Sequence, residues 1–453
     1  MSGGGATFRS LRVFNYRVWF IGALISNVGA WMQSTALQWV VLTQLTDNDA
    51  GAMGITMGLQ FAPPLLLVSI TGLVADRFDR RKLLMITQSV MLLLGAVMGV
   101  LLLSDVMTLP MMYGFAFSLG LVQAFDNPAR QAFVSDMVSR ENASNAVALN
   151  AASFNMARML GPAAAGIVVV AIGTGWVFFA NSITFIAMLI ALAMMRPAEL
   201  VPRVRQKGPE RLADGFRYVT RRPDLIVTFI MVFLLSAFGM NLPIFTSTMA
   251  VEFGRDADGF GMLSSVVAIG SLAGALLAAR RDRPRLSVAI GGLAMFAVAS
   301  TISAFMQSYW LYAIMLVFVG FSTVTVMTTA NGHVQTTTDP SLRGRVMALY
   351  LAVLMGGTPI GAPIVGWVAH AYGPRWAIIL GAIAGLIAFA VGAIWVLRSG
   401  RIHRSTRRRF ALTLDRTAAI PVIPDVEPEE FSDEVASTTP IRITPEDKDR
   451  PGR

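Results

Sequence analysis

The chain has 453 residues, of which 55% are hydrophobic and only 14% are charged, and its formal net charge is +10. A soluble chain of this length is expected to carry about a quarter charged residues, so the composition excludes an ordinary soluble protein. The sequence contains no cysteine, which also excludes a disulfide framework and thiol chemistry.

The apolar residues fall into runs of about 20 residues, the length that spans a hydrocarbon core of roughly 30 Å. Because backbone polar groups cannot face lipid unpaired, runs of this length must be helices. We therefore predict an all-α membrane protein with twelve transmembrane helices. The predicted spans are 18–43, 52–75, 83–104, 108–127, 146–171, 175–196, 224–247, 259–279, 286–306, 309–330, 346–370 and 375–397.

Lysine and arginine mark one side of these spans. Of the 37 basic residues, all but Arg158, Arg255 and Arg375 lie at the two ends of the chain or in alternate loops. Cationic flanks stay in the cytoplasm, so we predict a bacterial cytoplasmic-membrane protein with both termini inside. Since the charge follows the parity of the loops, it indicates topology, and we expect no binding of nucleic acid.

Polar side chains form a stripe along the first span. Asn27, Trp31, Ser34 and Gln38 recur at the spacing of one helical face, and Gln60 lies on the second span. Amide, hydroxyl and aromatic groups suit a bulky amphiphile, so these residues are candidates for lining a substrate cavity. Such groups also hold helices together by hydrogen bonds, and this alternative stays open.

The loop after the second span reads GLVADRFDRRKLL, residues 72–84. It resembles the first cytoplasmic loop of the major facilitator superfamily, whose signature is G-x-L-A-D-R-x-G-R-R/K, and it departs from that signature at Val74 and Asp79. The resemblance implies two pseudo-symmetric six-helix bundles and a cytoplasmic gate at this loop, whereas a solvated cationic loop is the alternative. The matching residues are Gly72, Ala75, Asp76, Arg77, Arg80 and Arg81.

A second stretch, residues 123–166, narrows the resemblance. Its segments DNPARQAF and ARMLGPAAAG are similar to the exporter branch that includes the enterobactin exporter and macrolide and multidrug pumps. Gly161, Pro162 and Gly166 match the G-P-x-x-x-G element that the superfamily associates with antiporters, although packing of small residues is an alternative reading. Antiporters often carry an arginine where this chain has Gly120, so coupling through that arginine cannot be carried over.

Arg158 lies about 12 residues into the fifth span, roughly 18 Å deep. A charge at that depth costs several kcal/mol against lipid, so Arg158 should face the bundle interior or a water-filled cavity. Asn155 shares its helical face, and Asn27 lies at a matching depth. Three roles stay open for Arg158: binding an anionic group of the substrate, holding the field of the cavity while a proton moves, or bridging carbonyls and amides.

The sequence offers few groups for proton coupling. No Asp or Glu falls in the middle of a predicted span, and a guanidinium does not release its proton at working pH. If protons drive transport, Asp126 at the inner end of the fourth span is the first candidate. His333 at the inner end of the tenth span is the second.

The chain repeats itself at an offset of 200 residues. We therefore predict a first bundle at 1–197, a cytoplasmic linker at 198–223 and a second bundle at 224–398. Asn241 and Thr325 are the cavity candidates of the second bundle. The residues that recur are Gly161, Gly166, Ala171, Gly173 and Trp176, which match Gly361, Gly366, Ala371, Gly373 and Trp376.

Residues 399–453 differ in character from the spans. Six arginines in Arg398–Arg409 favour contact with anionic lipid headgroups, and the acidic, proline-rich segment that follows lacks the apolar content to fold alone. We predict a disordered cytoplasmic tail. Whether it is a dispensable end or a regulatory segment stays open.

Together these features predict a secondary active exporter of amphiphilic organic molecules, of siderophore, macrolide or multidrug type, that is driven by protons and works by alternating access. The sequence contains no nucleotide loop, metal cluster or nucleophile–base pair, so we expect no enzyme activity, no cofactor and no metal, and we expect a monomer. An importer of a small polar solute is the first alternative. A membrane scaffold or sensor acting through the tail is the second.

Overall fold

The computed structural model describes residues 8–201, 212–281 and 284–398, together with two short stretches at 402–404 and 412–414. These described residues form fifteen α-helices. The first half contains α1 (Phe14–Trp39), α2 (Ala50–Leu66), α3 (Val68–Arg77), α4 (Arg80–Leu103), α5 (Leu109–Asp136), α6 (Arg140–Ile172) and α7 (Thr174–Met194). The second half contains α8 (Leu212–Thr220), α9 (Pro223–Leu234), α10 (Leu242–Glu252), α11 (Ala257–Ala279), α12 (Leu286–Ala304), α13 (Tyr309–Thr337), α14 (Arg343–Tyr372) and α15 (Pro374–Arg398).

Nine helical segments in the described part of the chain are long and apolar enough to cross a membrane, and the bent pair α2–α3 raises the number to ten. One of the nine, Pro223–Glu252, combines α9, a π turn and α10. Helices α1 and α5 lie at the two remaining predicted spans but carry more polar residues. The predicted all-α membrane fold is confirmed, whereas the exact count of twelve spans is not.

The second predicted span is bent. Pro63 and Pro64 lie in the last turns of α2, where a proline ring removes a backbone donor and clashes with the preceding turn. Helices α2 and α3 meet at an angle of 60°. The charged loop that follows α3 therefore does not lie on the axis of α2.

Short connections make consecutive spans run in opposite directions. We call the side that contains residue 14 the proximal side and the side that contains residues 45–49 the distal side. Helix α6 therefore ends on the distal side, and α11 begins there. Helix α2 begins on the distal side, and α14 ends there.

A close helix crossing joins the first half to the second near the distal side. A Cβ added at Gly166 of α6 would lie 2.7 Å from the carbonyl oxygen of Ala257 at the start of α11. One turn away, a Cβ added at Gly261 of α11 would overlap the carbonyl oxygen of Pro162. The two backbones therefore touch, and only glycine fits at these two positions.

The repeat generates a second crossing of the same kind. A Cβ added at Gly366 of α14 would overlap the carbonyl oxygen of Ala50 at the start of α2, and one at Gly54 would overlap that of Ala362. These residues follow the first crossing at offsets of 200 on α14 and 207 on α2. The predicted internal repeat is thus visible in the packing as two equivalent contacts between the halves.

The backbone also repeats at the next turn. Gly173 and Gly373 both lie between consecutive helices with φ of 96° and 97°. This left-handed conformation favours glycine. The turn from α6 to α7 is therefore the counterpart of the turn from α14 to α15.

Parts of the predicted linker and tail lie outside the described residues, namely 202–211 and most of 399–453. Within the linker, α8 packs on α14, where a Cβ added at Gly215 would lie 2.8 Å from the Cβ of Arg345. In the tail, residues 402–404 pair with 412–414 as two short antiparallel strands, β1 and β2. The predicted disorder of the tail and its lipid contact stay predictions.

Candidate substrate cleft and gates

Arg158 is half-buried on α6, and its Cζ lies 5.8 Å from the centre of the Trp31 ring on α1. Phe154 packs edge-on against the Trp31 ring, with the two ring centroids 5.7 Å apart. In the described part of the chain, the guanidinium has no hydrogen-bonding or ion-pair partner. A cation–π contact contributes about 0.5–2 kcal/mol, less than the cost of dehydrating a charge, so Arg158 requires water or a ligand.

The position of Arg158 on α6 shows which way it faces. Pro162 and Ala165 follow it at i+4 and i+7 on one helical face, and both are buried at the distal crossing. Asn155, at i−3 on this face, is only half-buried. Arg158 therefore lies one turn before Pro162 in the closed contact between the halves, next to Met159, whose carbonyl oxygen accepts a hydrogen bond from Ser265 of α11 at 2.7 Å. The opposite face carries exposed apolar residues that suit lipid, namely Met156, Leu160, Ile167 and Val170.

The predicted polar stripe of α1 lies next to Arg158. Asn27 and Ser34 are half-buried, whereas Gln38 is buried and donates a hydrogen bond of 3.5 Å to Ser34. Ser34 and Gln60 line the same cavity of about 40 Å³. The structure therefore brings the predicted residues of the first and second spans together, with Trp31 as the link to Arg158.

Three further amides line this cavity and were not predicted from the sequence. They belong to Gln33 on α1, Gln123 on α5 and Asn181 on α7. Gln33 lies off the helical face that defined the stripe, so a search based on that periodicity passes over it. The available signal was a carboxamide within a predicted span, which the sequence contains at each of these positions.

The candidates of the second half are buried inside that half. Asn241 is fully buried, and its amide donates a hydrogen bond to the carbonyl oxygen of Ala237. Thr325 is also buried, with its Oγ1 3.2 Å from the position of a Cβ added at Gly274. In this conformation neither side chain joins the cleft residues around Arg158, and their contact with substrate stays a prediction.

The predicted gate loop contains an ion network centred on Arg80. Its Nη1 lies 2.9 Å and 3.0 Å from the two carboxylate oxygens of Asp136 on α5, and its Nη2 lies 3.0 Å from Asp76. The Nε donates to the carbonyl of Ala75 at 3.0 Å. Asp79, where the superfamily signature has glycine, accepts from the backbone N–H of Lys82 and caps α4. The loop thus has a fixed structure within the first half.

The other gate residues differ in their surroundings. Arg81 donates to the carbonyl oxygens of Leu192 and Ala193 at 2.7 Å and 3.1 Å, which ties α4 to α7. Arg77 is exposed, and a Cβ added at Gly72 would touch nothing within 4 Å. The side chain of Asp76 is 74% exposed. In this conformation the loop therefore leaves one carboxylate accessible on the proximal side.

The antiporter-type element Gly161, Pro162 and Gly166 brings α6 into close contact with two other helices, α1 and α11. A Cβ added at Gly161 would lie 2.5 Å from the Cβ of Trp31, so this glycine allows α1 to approach. Pro162 and Gly166 form the contact with α11 described above. Helix α6 continues through Pro162 without interruption. The element therefore has a packing function, and its association with antiport stays a prediction.

The absence of the antiporter arginine has a structural reason. A Cβ added at Gly120 of α5 would overlap the carbonyl oxygen of Gln60 on the second span. The backbones of α2 and α5 are in contact there, so no side chain fits at residue 120. Arg158, on the next span, is the cation of this region instead.

Asp126 is buried and accepts three hydrogen bonds. One carboxylate oxygen accepts from Thr87 at 2.6 Å and from Gln88 at 2.8 Å. The other accepts from Arg130 at 3.0 Å. Because Thr87 and Gln88 belong to α4, these hydrogen bonds join α5 to α4.

His333 lies next to a carboxylate that the sequence analysis did not single out. Its Nε2 is 3.7 Å from Oδ2 of Asp224 at the start of α9 and has no hydrogen-bonding partner among the described residues. Arg222 binds both oxygens of Asp224, at 2.9 Å and 2.7 Å, and this hydrogen bonding raises the pKa of the Arg222 guanidinium. The cluster thus combines a titratable imidazole with a paired carboxylate.

A contact between a histidine and an aspartate also crosses between the halves on the distal side. Nδ1 of His370 on α14 lies 3.1 Å from Oδ1 of Asp49, which caps the start of α2. A cavity of about 210 Å³ lies beside this pair and is lined by Asn48 from the first half and by Thr248 and Glu252 from the second. The pair adds a polar contact to the two glycine crossings that close the distal side.

The ion network of the gate loop yields a prediction for stability. Replacing Arg80 with alanine should lower the apparent melting temperature and cost about 1.5–3 kcal/mol, because the mostly buried carboxylate of Asp136 loses its charge-assisted hydrogen bonds from Arg80. Arg77→Ala is the matched control, since that side chain is exposed, and its change should stay within about 0.5 kcal/mol. Equal melting temperatures for the two variants in detergent would contradict the assigned role of Arg80.

Comparison with known families identifies the chain. The sequence profile of the family described as transmembrane secretion effector matches residues 5–414. The chain is 24% identical over 368 residues to the staphyloferrin A transporter of Staphylococcus aureus (strain NCTC 8325 / PS 47), covering 79% of this chain and 90% of the relative. It is 23% identical over 401 residues to the enterobactin exporter EntS of Citrobacter koseri, covering 86% and 92%.

Solved structures show the same fold. A bacterial homologue of the human lysosomal transporter Spinster, in an inward-facing and unoccupied conformation, aligns with a TM-score of 0.67 at 16% identity, covering 84% of this chain and 96% of that one. A D-xylose–proton symporter aligns with a TM-score of 0.66 at 13% identity, covering 83% and 96%. Both have the major facilitator fold that the loop at 72–84 predicted. The chain therefore belongs to the transmembrane secretion effector family of the major facilitator superfamily.

Proposed function

We propose that this protein is a secondary active exporter of amphiphilic organic molecules, of siderophore, macrolide or multidrug type, in the bacterial cytoplasmic membrane. The two relatives described above are named for a siderophore transporter and a siderophore exporter, which supports this substrate class. The observation that carries the proposal is the Arg158 guanidinium, which lies one turn before the crossing of α6 with α11 and has no acceptor among the described residues.

Arg158 binds an anionic group of the substrate in this proposal. A guanidinium presents a planar fork of donors that matches a carboxylate or a related oxyanion. The aromatic ring of Trp31 lies 5.8 Å from its Cζ and offers a surface for the apolar part of an amphiphile. The third role left open, a structural bridge to carbonyls and amides, has no support among the described contacts.

The proximal side is the cytoplasmic side in this proposal, because the basic loops lie there. Both glycine crossings and the pair of His370 with Asp49 lie on the distal side. The exposure of Asp76 on the proximal side fits a gate that is not engaged with the second half. These features support a conformation that loads substrate from the cytoplasm.

Export requires the distal contacts to open and the proximal side to close. The two crossings pair α6 with α11 and α2 with α14 in equivalent geometry. A rigid-body rocking of the halves can therefore open both crossings together. As the proximal ends approach, the carboxylate of Asp76 becomes available to the second half. The ion network of Arg80 keeps the loop in shape during this movement.

Protons drive the cycle in this proposal, and His333 is the stronger candidate for the coupling group. Its Nε2 lacks a hydrogen-bonding partner in the described structure and lies 3.7 Å from Oδ2 of Asp224, and histidine is a common proton carrier in proteins. The carboxylate of Asp126 already accepts three hydrogen bonds. The roles of the two residues are therefore testable against each other.

The role of Arg158 predicts a loss of transport on substitution. Arg158→Ala should reduce uncoupler-sensitive accumulation in energised inside-out vesicles by about 10- to 100-fold, because a charge-assisted hydrogen bond to the substrate is lost. Arg158→Lys keeps the charge without the planar fork and should retain part of the activity. The substrate is first identified by screening siderophores, macrolides, tetracyclines and dyes for accumulation in these vesicles.

Arg140→Ala, at the exposed start of the same helix, is the matched control and should transport normally. Unchanged transport by Arg158→Ala would contradict the proposed site. Uptake that occurs only in intact cells would instead indicate an importer. Deletion of residues 410–453 should leave export intact, whereas loss of partner binding in a protein that never transports would indicate a scaffold or sensor.

The assignment of the coupling group gives a separate prediction. His333→Gln removes the imidazole ring and should abolish most of the uncoupler-sensitive transport. Asp126→Asn should mainly lower thermal stability, by about 1.5–3 kcal/mol, through loss of charge-assisted hydrogen bonds. Coupled transport that survives His333→Gln but is lost in folded Asp126→Asn would reverse the assignment.

A further inference from the structure

The cavity of about 40 Å³ in the first half is lined by apolar residues and by a group of uncharged polar side chains. Its polar side chains are the carboxamides of Gln33, Gln60, Gln123 and Asn181, together with the hydroxyl of Ser34. None of the side chains that line it is charged. This amide pocket, as we call it, lies on the same helix α1 that contacts Arg158 through Trp31.

Much of the hydrogen-bonding capacity of the amide pocket is unused. Asn181 donates to the carbonyl oxygen of the Gln33 side chain at 2.6 Å, and Thr184 donates to Asn181 at 2.9 Å. Among the residues that the structure describes, the side chains of Gln60 and Gln123 have no hydrogen-bonding partner. Their atoms are not sealed from the cavity, so they can bond to whatever occupies it.

Unpaired amides inside a membrane protein are costly, because lipid offers no hydrogen bonds. An occupant with donors and acceptors removes that cost. Each carboxamide supplies both kinds of group, so the walls complement an amide, carbonyl or hydroxyl. A charged group would lack a counter-charge there, and a purely apolar group would leave the amides unpaired.

The volume limits the size of the occupant. A water molecule needs about 10–15 Å³ of such space. The amide pocket therefore admits about three waters or one small polar group of a larger molecule. Ala30 and Ser34 line the pocket one turn or less from Trp31. A substrate held by Arg158 can therefore extend a neutral group along α1 into it.

We propose that the amide pocket is a second recognition site of the transport pathway and selects substrates that carry a neutral amide, carbonyl or hydroxyl group near their anionic group. This inference rests on the proposed role of Arg158. It assigns Gln123 and Gln60 as specificity-determining residues, with Gln33 and Asn181 as the fixed back wall.

Two matched probes separate this site from the site at Arg158. N-(2-naphthoyl)glycine carries a carboxylate and an amide, and 4-(2-naphthyl)butanoate has nearly the same shape with two methylene groups in place of the amide. Binding of both is measured on the purified full chain in lipid nanodiscs by naphthyl fluorescence. The wild-type protein should bind the amide probe about tenfold more tightly, as expected for one or two net hydrogen bonds.

Gln123→Met and Gln60→Met remove a carboxamide at nearly constant volume. Each variant should weaken binding of the amide probe by about three- to tenfold and leave the binding of the butanoate unchanged. Gln335→Met is the matched control, because Gln335 is exposed on α13 and bonds only to Asn331, at 2.8 Å. This control should bind both probes like the wild type.

The outcomes distinguish the two proposals. If Arg158→Ala weakens both probes equally while the glutamine variants weaken only the amide probe, the amide pocket is a recognition site. If the glutamine variants leave the ratio of the two affinities unchanged, the pocket holds structural water and the inference is wrong. If Arg158→Ala affects neither probe, the proposed function fails, whatever the glutamine variants do.

Discussion

Two contacts between glycine and a facing backbone carbonyl determine where the halves of this molecule meet. Gly166 against Ala257 and Gly366 against Ala50 occupy equivalent positions in the repeat. Without side chains between them, the helices approach closely, and van der Waals packing replaces the hydrophobic effect that lipid cannot supply. Both contacts lie on the distal side of the molecule.

The charge of Arg158 has to be understood from that geometry. Pro162, one turn after Arg158, is buried in the crossing of α6 with α11, whereas Asn155, one turn before Arg158, is half-buried. A guanidinium inside the crossing would have no room, and one on the opposite face would meet lipid. In the proposed function, the edge of this crossing gives the guanidinium access to water and to an anionic group of the substrate.

The sequence predicted much of this arrangement because its signals are periodic. Runs of apolar residues predicted the helices, and the parity of the basic loops predicted two sides. The repeat of Gly166 and Gly366 predicted two equivalent halves. Residues that depend on contacts between distant helices were harder to predict. Asp224 was identified only from its contact with His333 in the structure. The amides of Gln123 and Asn181 were identified only because they line the same cavity. The count of twelve spans is not confirmed, because α1 and α5 carry the polar side chains that line or support the site and are therefore less apolar than the other spans.

The most direct test of the cleft uses the absence of cysteine in this chain. Asn155→Cys and Leu160→Cys place single thiols on two faces of α6, and each is exposed to a membrane-impermeant maleimide in inside-out vesicles. We expect rapid labelling at residue 155 and little at residue 160, because one faces the water-filled cleft and the other faces lipid. Failure of residue 155 to react, or equal labelling of both positions, would contradict a cleft that opens to the cytoplasm beside Arg158.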